Sequence, residues 1–302
     1  MSDYMFMLES HLTRTQSKVV SQIVAVAHEA GLNIFLAGGA IRDMLGGFPV
    51  RDLDFVVEGQ PTRLVKALIK AGVKEVSADD LKKLTELRFP EGITASIAMS
   101  RQEHYAKTGG KPQVKPAPIY DHLRSCDFTV NAIALSLNKG SRGLLIDPTN
   151  GVGDLESREL RTVSNYAFYD EPVRILRMIR LQIRLGLSIE AKTQNQYQNA
   201  REAKVEKHIS SAALHQELIH VAAEQNPGDV IAAWDREQLL ALFSSSLTGA
   251  KINTAGFQKL QKAMQLIPYG VNLQLDPLGL FLNLLTEKMT PKDKSAFIQA
   301  TA

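Results

Sequence analysis

The run Leu36-Ala37-Gly38-Gly39-Ala40-Ile41-Arg42-Asp43-Met44-Leu45-Gly46-Gly47-Phe48-Pro49-Val50-Arg51-Asp52-Leu53-Asp54-Phe55 reads as strand, glycine turn, helix and second strand, and it ends on a pair of carboxylates. Ile34 to Ala37 are apolar and short enough for a buried strand. Gly38 and Gly39 allow a tight turn whose N–H groups approach a ligand, and a helix starting there offers a seat for phosphate. Asp52 and Asp54 alternate with Leu53 and Phe55, a period of two that sends both carboxylates from one face of one strand. Carboxylates so placed suit Mg2+, which takes one or two of them together with substrate phosphates; a metal pair activates an attacking oxygen and steadies a leaving one. Either motif alone marks a turn or a solvated strand end, and their order in one run is what points to chemistry.

Outward from this run the chain alternates helix and strand. Val19, Val20, Ile23, Val24 and Ala27 give Ser17 to Ala30 a helical period, with Gly31 as its stop. Pro61 opens a helix through Leu64, Val65, Leu68 and Ile69, closed at Gly72. Residues 84–88 and 93–98 are expected to pair as antiparallel strands across Pro90-Glu91-Gly92. Lys107 to Pro118, rich in Gly, Pro and Lys and without periodicity, is expected to be a mobile loop. Phe168 to Arg180 is expected to open a long amphipathic helix with Pro172 in its first turn, and 191–223, 227–243 and 257–267 read as further helices.

The 302 residues, 44% hydrophobic and 22% charged, suffice for about two domains and a sizeable core. No apolar run reaches the roughly 18 residues of a membrane span, and the N-terminus lacks a signal-peptide pattern, so the expectation is a cytoplasmic protein with no membrane partner. Cys126 is the single cysteine, which excludes an intrachain disulfide and a cysteine zinc knuckle. A net charge of +3 and a pI near 8.8 permit a nucleic-acid partner without requiring one. The histidines and Trp234 are scattered and read as packing or solvated groups.

Gly38, Gly39, Arg42, Asp43, Asp52 and Asp54 resemble the GGxVRD and DxD signature of class II tRNA nucleotidyltransferases (CCA-adding enzymes) and bacterial poly(A) polymerases. Asp127, Phe128, Thr129, Asn131 and Ala132 resemble the family's RRDFTxNA motif, with Ser125 and Cys126 in place of the two arginines. Residues 147–155 are similar to its DPxxGxxDL turn, and Asp170 to Arg177 to its EDPxRxLR segment with the acids exchanged. Arg101, Glu103 and Tyr105 match an RxExY segment whose upstream acidic position is here Ser96.

The resemblance implies an α+β fold: a polymerase beta-like nucleotidyltransferase head with a mixed sheet and flanking helices over 1–160, a helical neck for base recognition over 161–245 and a short or partial helical body over 246–302. It implies Asp52 and Asp54 as catalytic metal ligands for Mg2+, and Gly38, Gly39, Arg42, Asp127, Asn131, Glu171, Arg174 and Arg177 as nucleotide-binding residues. Lys107, Lys111 and Lys115 are expected to bind RNA. Glu171 and Arg174, one turn apart, are expected to read a base edge in a way that suits A or C. The implied reaction is addition of CMP or AMP, from CTP or ATP, to the 3′ end of RNA, with tRNA leading. Poly(A) polymerase and a degenerate RNA-binding homologue are the alternatives, and the sequence leaves the oligomeric state open.

Overall fold

The computed structural model describes residues 3–266 and 276–301, which fold as two compact units: 3–106 with 111–165, and 107–110 with 166–301. In the first unit, Thr13 and Gln16 form a reciprocal capping box that starts α2 (Arg14–Glu29) ahead of Ser17, after a short α1 (Tyr4–His11). Gly31, at φ +68, lets the chain leave α2 toward β1 (Asn33–Ala37). Then come α3 (Gly39–Leu45), β2 (Leu53–Glu58), α4 (Thr62–Lys70), β3 (Lys74–Asp79), β4 (Leu84–Arg88) and β5 (Thr94–Met99). They are followed by β6 (Arg101–His104), β7 (Gln113–Pro116), α5 (Ile119–Leu123), β8 (Ala134–Ser136), β9 (Leu145–Ile146) and α6 (Gly151–Glu156).

Seven of these strands make one sheet in the order β3-β4-β5-β2-β1-β8-β9. It is mixed: β2 runs parallel to β5, reached through a crossover containing α4, and β1 runs antiparallel to β2 and to β8. Period-two alternation divides its side chains. Ile34, Leu36, Phe55, Val57, Leu87 and Ile97 join Ile23, Leu64 and Leu68 in one core, each fully buried at about 1.5–3 kcal/mol relative to exposure. Phe35, Ala37, Val56, Ala134 and Ile146 face the other way, onto Ile119 and Leu123 of α5. Asp54 lies two residues before Val56, directly across from Ala37, and therefore opens on this second face.

In this unit the structure amends two local expectations and adds a strand. Asp52 sits one residue before β2 rather than within it. Part of the expected mobile loop is strand: β7 pairs with β6 through Arg101↔Pro116, Gln102↔Lys115, Glu103↔Val114 and His104↔Gln113. Backbone pairing needs no apolar alternation, which is why a Gly/Pro/Lys-rich stretch concealed it. The pairing of 84–88 with the following strand is as expected, but β3 on its outer edge, with all six residues exposed, carried no hydrophobic signal.

The second unit is helical: α7 (Ala167–Asp170), α8 (Arg174–Leu185), α9 (Ala191–Glu202), α10 (Ser211–Ala222), α11 (Pro227–Arg236), α12 (Thr254–Gln265), α13 (Pro277–Thr286) and α14 (Pro291–Thr301). Glu171 is extended, at φ −128 and ψ 92, so the helix expected to run from Phe168 is broken before Pro172 and resumes at Arg174. The residue before a proline avoids the helical region, which accounts for the break. Gly186, left-handed at φ +63, ends α8. Trp234 is fully buried, stacks on Phe243 at 5.3 Å and donates its indole N–H to the Leu176 carbonyl at 3.3 Å. Leu214, Leu218 and Val221 are buried as the apolar stripe predicts. Ile267, expected to end a helix, lies outside the described residues. Among the described residues, no helix is long and apolar enough to cross a membrane.

Candidate active site

Gly38 takes φ +66 and ψ −128, a conformation that side chains with a Cβ rarely adopt, and its N–H bonds to the Ile133 carbonyl at 3.0 Å. The glycine turn is thereby fastened to the segment 129–133. One turn into α3, the buried Arg42 donates Nε and Nη2 to Asp43 Oδ1 at 2.9 and 2.8 Å, and Nη1 to Asn131 Oδ1 at 2.5 Å. Asn131 in turn donates to Asp127 Oδ1 at 2.9 Å, which also accepts the Phe128 N–H at 2.7 Å. Gly38, Gly39, Arg42, Asp127 and Asn131 are thus one assembly, in which charge-assisted bonds hold the side chains against one another.

A further layer supports it. Asp147 accepts the N–H groups of Gly151 and Val152 at 2.8 and 2.9 Å and so seats the start of α6. Asp154 of α6 accepts the Thr129 hydroxyl at 2.6 Å and pairs with Arg161 at 3.1 Å. Gly151 lies so close to the Thr129 carbonyl that a Cβ would overlap it. The turn over 147–155 is therefore structural: it fixes the segment that carries Asn131.

The carboxylate pair lies beside this assembly. Register sets Ala37 opposite Asp54, so Gly38 and Gly39 leave β1 alongside Leu53 and Asp52. Asp52 is exposed and Asp54 half-buried. On the other flank β5 places Ser96 next to Asp54, and its hydroxyl donates to Asp54 Oδ1 at 2.6 Å. Glu86 is the next residue across, opposite Ser96 on β4. Burial pushes the Asp54 carboxyl up to about 6; the Ser96 bond and Arg42 work against the rise, while Asp52 and Glu86 add to it. A dication suits such a donor set, because it turns the repulsion between the carboxylates into shared attraction. Among the described residues no group of three or more His, Cys, Asp or Glu is placed to hold a metal, so phosphate and water oxygens would complete the shell.

Ser125 and Cys126, in the positions of two arginines in the resembled motif, close back onto α5: Ser125 Oγ donates to the Asp121 carbonyl at 3.1 Å and Cys126 Sγ to that of His122 at 3.8 Å. Arg124 is exposed, 3.9 Å from Asp121. Desolvation, with Arg101 nearby, lowers His122 to about 4. Lys111 and Lys115 are exposed; Lys115 lines a cleft of about 330 Å³ with Gln102, Glu103, His104, Gln113 and Ser125. Lys107 is exposed too but belongs to the second unit, where Gly109 bonds to the Tyr169 carbonyl at 3.1 Å.

Within the second unit Glu171 and Arg174 meet although Glu171 precedes the helix: Nε and Nη2 of Arg174 lie 3.0 and 2.8 Å from Glu171 Oε2. Arg174 is buried, and Arg177, one turn on, is partly exposed and bonded through Nε to Glu217 Oε1 at 3.2 Å. Sequence reading missed Ser96 as a partner of Asp54, Glu86, and the buried Glu217 and Glu224. Strand register is the signal for the first two, and the i, i+3 and i+4 spacing of Arg177, Arg180 and Arg184 is the signal for the others.

Residues 34–161 match the family described as Poly A polymerase head domain. The A-adding tRNA nucleotidyltransferase of Halalkalibacterium halodurans is 33% identical over 195 residues, 64% of this chain and 46% of that protein. The CC-adding tRNA nucleotidyltransferase of Deinococcus radiodurans is 39% identical over 153 residues, 50% of this chain and 41% of that protein. The chain thus spans less than half the length of these relatives. A solved tRNA nucleotidyltransferase with a primer tRNA and an incoming ATP analog superimposes on 92% of this chain and 79% of its own, with a TM-score of 0.68 and 26% identity.

Proposed function

We propose that this chain, whose residues 34–161 match the Poly A polymerase head domain family, is a template-independent nucleotidyltransferase that adds CMP, AMP or both to the 3′ end of tRNA. One observation carries the reading: Asp52 and Asp54 stand at the end of β2 beside the glycine turn, with Ser96 holding one oxygen of Asp54. Mg2+ held by Asp52 and Asp54 would lower the pKa of the attacking 3′-hydroxyl and neutralise charge on the triphosphate. The chain's own residues supply position. Gly38 and Gly39 leave room for phosphate to approach backbone N–H groups, and the Arg42–Asn131–Asp127 assembly keeps that turn rigid. Glu171 and Arg174, which pair with each other in the chain alone, are assigned the reading of a base edge, where an acceptor and a donor fork suit A or C. Lys107, Lys111 and Lys115 contribute positive charge toward RNA, and a cytoplasmic location is part of the proposal. The nucleotide-binding set of Gly38, Gly39, Arg42, Asp127, Asn131, Glu171, Arg174 and Arg177 is part of this proposal, as is a helical neck beyond the head.

Similarity to both an A-adding and a CC-adding enzyme makes the added nucleotide the experimental question. The test supplies CTP, ATP or both to tRNA ending at the discriminator base, in C, or in CC. Addition of one to three residues supports tRNA end completion, and long A tracts support poly(A) synthesis. A second reading, an inactive RNA-binding homologue, is favoured by Ser125 and Cys126, whose side chains turn back onto α5 where guanidiniums would face phosphate. Absence of incorporation with any substrate, alongside tRNA binding, would support it.

A further inference from the structure

We propose that the outer face of α4, together with Arg14 and Lys18 of α2, binds the phosphate backbone of RNA at a distance from the carboxylate pair. The inference rests on the nucleotidyltransferase reading above and gives its RNA a second contact. Helix α4 carries Arg63, Lys66 and Lys70, spaced i, i+3 and i+7, so that all three share one face, and each is exposed. From Arg63 to Lys70 that face runs roughly 10 Å along the helix axis. Helix α2 packs alongside α4 on the same side of the sheet, and its Arg14 and Lys18 are exposed as well.

These charges do not serve the helices that bear them. A solvated helix ordinarily sets acids and bases three or four residues apart, yet residues 59–74 contain no Asp or Glu, in a chain whose 35 basic and 32 acidic residues are nearly balanced. Neither helix has an acid in its first turn; Arg14 and Arg63 stand there instead, against the positive end of the helix dipole. Lys70, in the last turn of α4, is the member of the row that the dipole favours. Of the acids that flank these helices in the chain, Glu58 accepts from Asn33 and from the Ile119 N–H, and Glu9 pairs with Arg142. Glu29 and Glu75 are exposed, and among the described residues neither is ion-paired with any of the five cations. Cations kept where they cost helix stability, with no carboxylate to answer them, call for an anion from outside the chain.

RNA is the occupant this face fits. A membrane surface asks for large apolar side chains beside the basic ones, but Leu64, Val65 and Leu68 of α4 are buried in the core beneath it, and of its large apolar side chains only Ile69, at 40%, is exposed. Flexible cations in a row, with no aromatic ring or amide among them to read a base, suit phosphate, which they hold without regard to sequence. Asp54 opens on the opposite face of the sheet, so the phosphates held here belong to a part of the RNA other than the 3′ end at the carboxylates.

The experiment compares the parent with the triple variant Arg63→Ala, Lys66→Ala, Lys70→Ala. Binding of whole tRNA is measured across a salt series, lysine acetylation with and without saturating tRNA, nucleotide incorporation at saturating tRNA, and thermal melting. Alanine favours the helix and Arg63 opposes its dipole, so the variant should melt at or above the parent's temperature. Its tRNA affinity should fall about tenfold at low salt, with a salt dependence shallower by up to about three phosphate contacts, while the KM for ATP and CTP stays as in the parent. In the parent, tRNA should slow acetylation of Lys66 and Lys70, a readout that needs no variant. Unprotected Lys66 and Lys70 would overturn the proposal, even if the variant binds less tightly, because the loss would then be a long-range effect of charge. Parent-like affinity and salt slope in the variant would overturn it too, and a lowered melt beside them would return the three side chains to a structural role. Protection by polyglutamate where tRNA gives none would assign the face to an acidic protein instead. If the parent neither binds nor extends tRNA, the nucleotidyltransferase reading fails together with this one; if parent and variant bind and extend it alike, this inference fails alone.

Discussion

Ser96 shows how far a single hydroxyl reaches. Its 2.6 Å bond fixes one oxygen of Asp54 and favours the ionised form against burial and against the charges of Asp52 and Glu86. Ser96→Ala removes the donor, so the Asp54 pKa should climb further above 6. Ser96→Ala should also raise the Mg2+ concentration needed for half-maximal incorporation, since the ion would have to displace a more tightly held proton and bind a less fixed oxygen; a Mg2+ titration superimposable on the parent's would refute the role of Ser96. His122 sets a second pH dependence, this one in stability. Its pKa is about 4 in the folded chain and 6.5 in the unfolded one, so between these values the unfolded chain binds more protons. Its contribution is fully present above pH 6.5 and is lost as the pH falls toward 4, at about 1–2 kcal/mol by pH 5. Denaturant melts of the parent and His122→Asn at pH 5 and 7.5 check this: the variant should lose less stability on acidification.

Among the elements, α6 is packed closely at its first residue. Gly151 starts it against the Thr129 carbonyl and the Ile133 side chain, and Asp147 accepts the first two N–H groups of the helix. Gly151→Ala should cost about 1–3 kcal/mol, whereas Gly140→Ala, with nothing within 4 Å of its added Cβ, should stay within about 0.5 kcal/mol of the parent. Chemical denaturation of both variants gives the comparison. Elements with a hydrophobic period or a terminator were legible in sequence: α2 between its apolar stripe and Gly31, α4 behind Pro61, β4 with β5 around the 90–92 turn. β3 and β7 were not, because their cohesion is backbone pairing and their side chains are exposed or only half-covered. The candidate site divides in the same way. Asp52, Asp54 and the glycine turn are adjacent in sequence and were visible there. Ser96, Glu86 and Glu217 stand about 30 to 40 residues from the side chains they meet, and only strand register and helix pairing bring them in.

At the scale of the whole chain, a net charge of +3 is too small to bind RNA by itself, so grip has to come from local clusters. If Lys107, Lys111 and Lys115 face phosphate, tRNA affinity should fall steeply with added salt, and the triple Lys→Ala variant should lower that slope by up to about three phosphate contacts. A flat salt dependence would point to a different partner. The central claim, metal-dependent nucleotide transfer from CTP or ATP at Asp52 and Asp54, meets its most direct test in one measurement: incorporation of labelled CMP and AMP into tRNA with Mg2+ present or chelated, for the parent, Asp52→Ala and Asp54→Ala, each checked for an unchanged melt. The account predicts incorporation by the parent only with Mg2+ and none by either variant with any nucleotide. Transfer by a folded Asp52→Ala or Asp54→Ala protein at near the parent rate would contradict it.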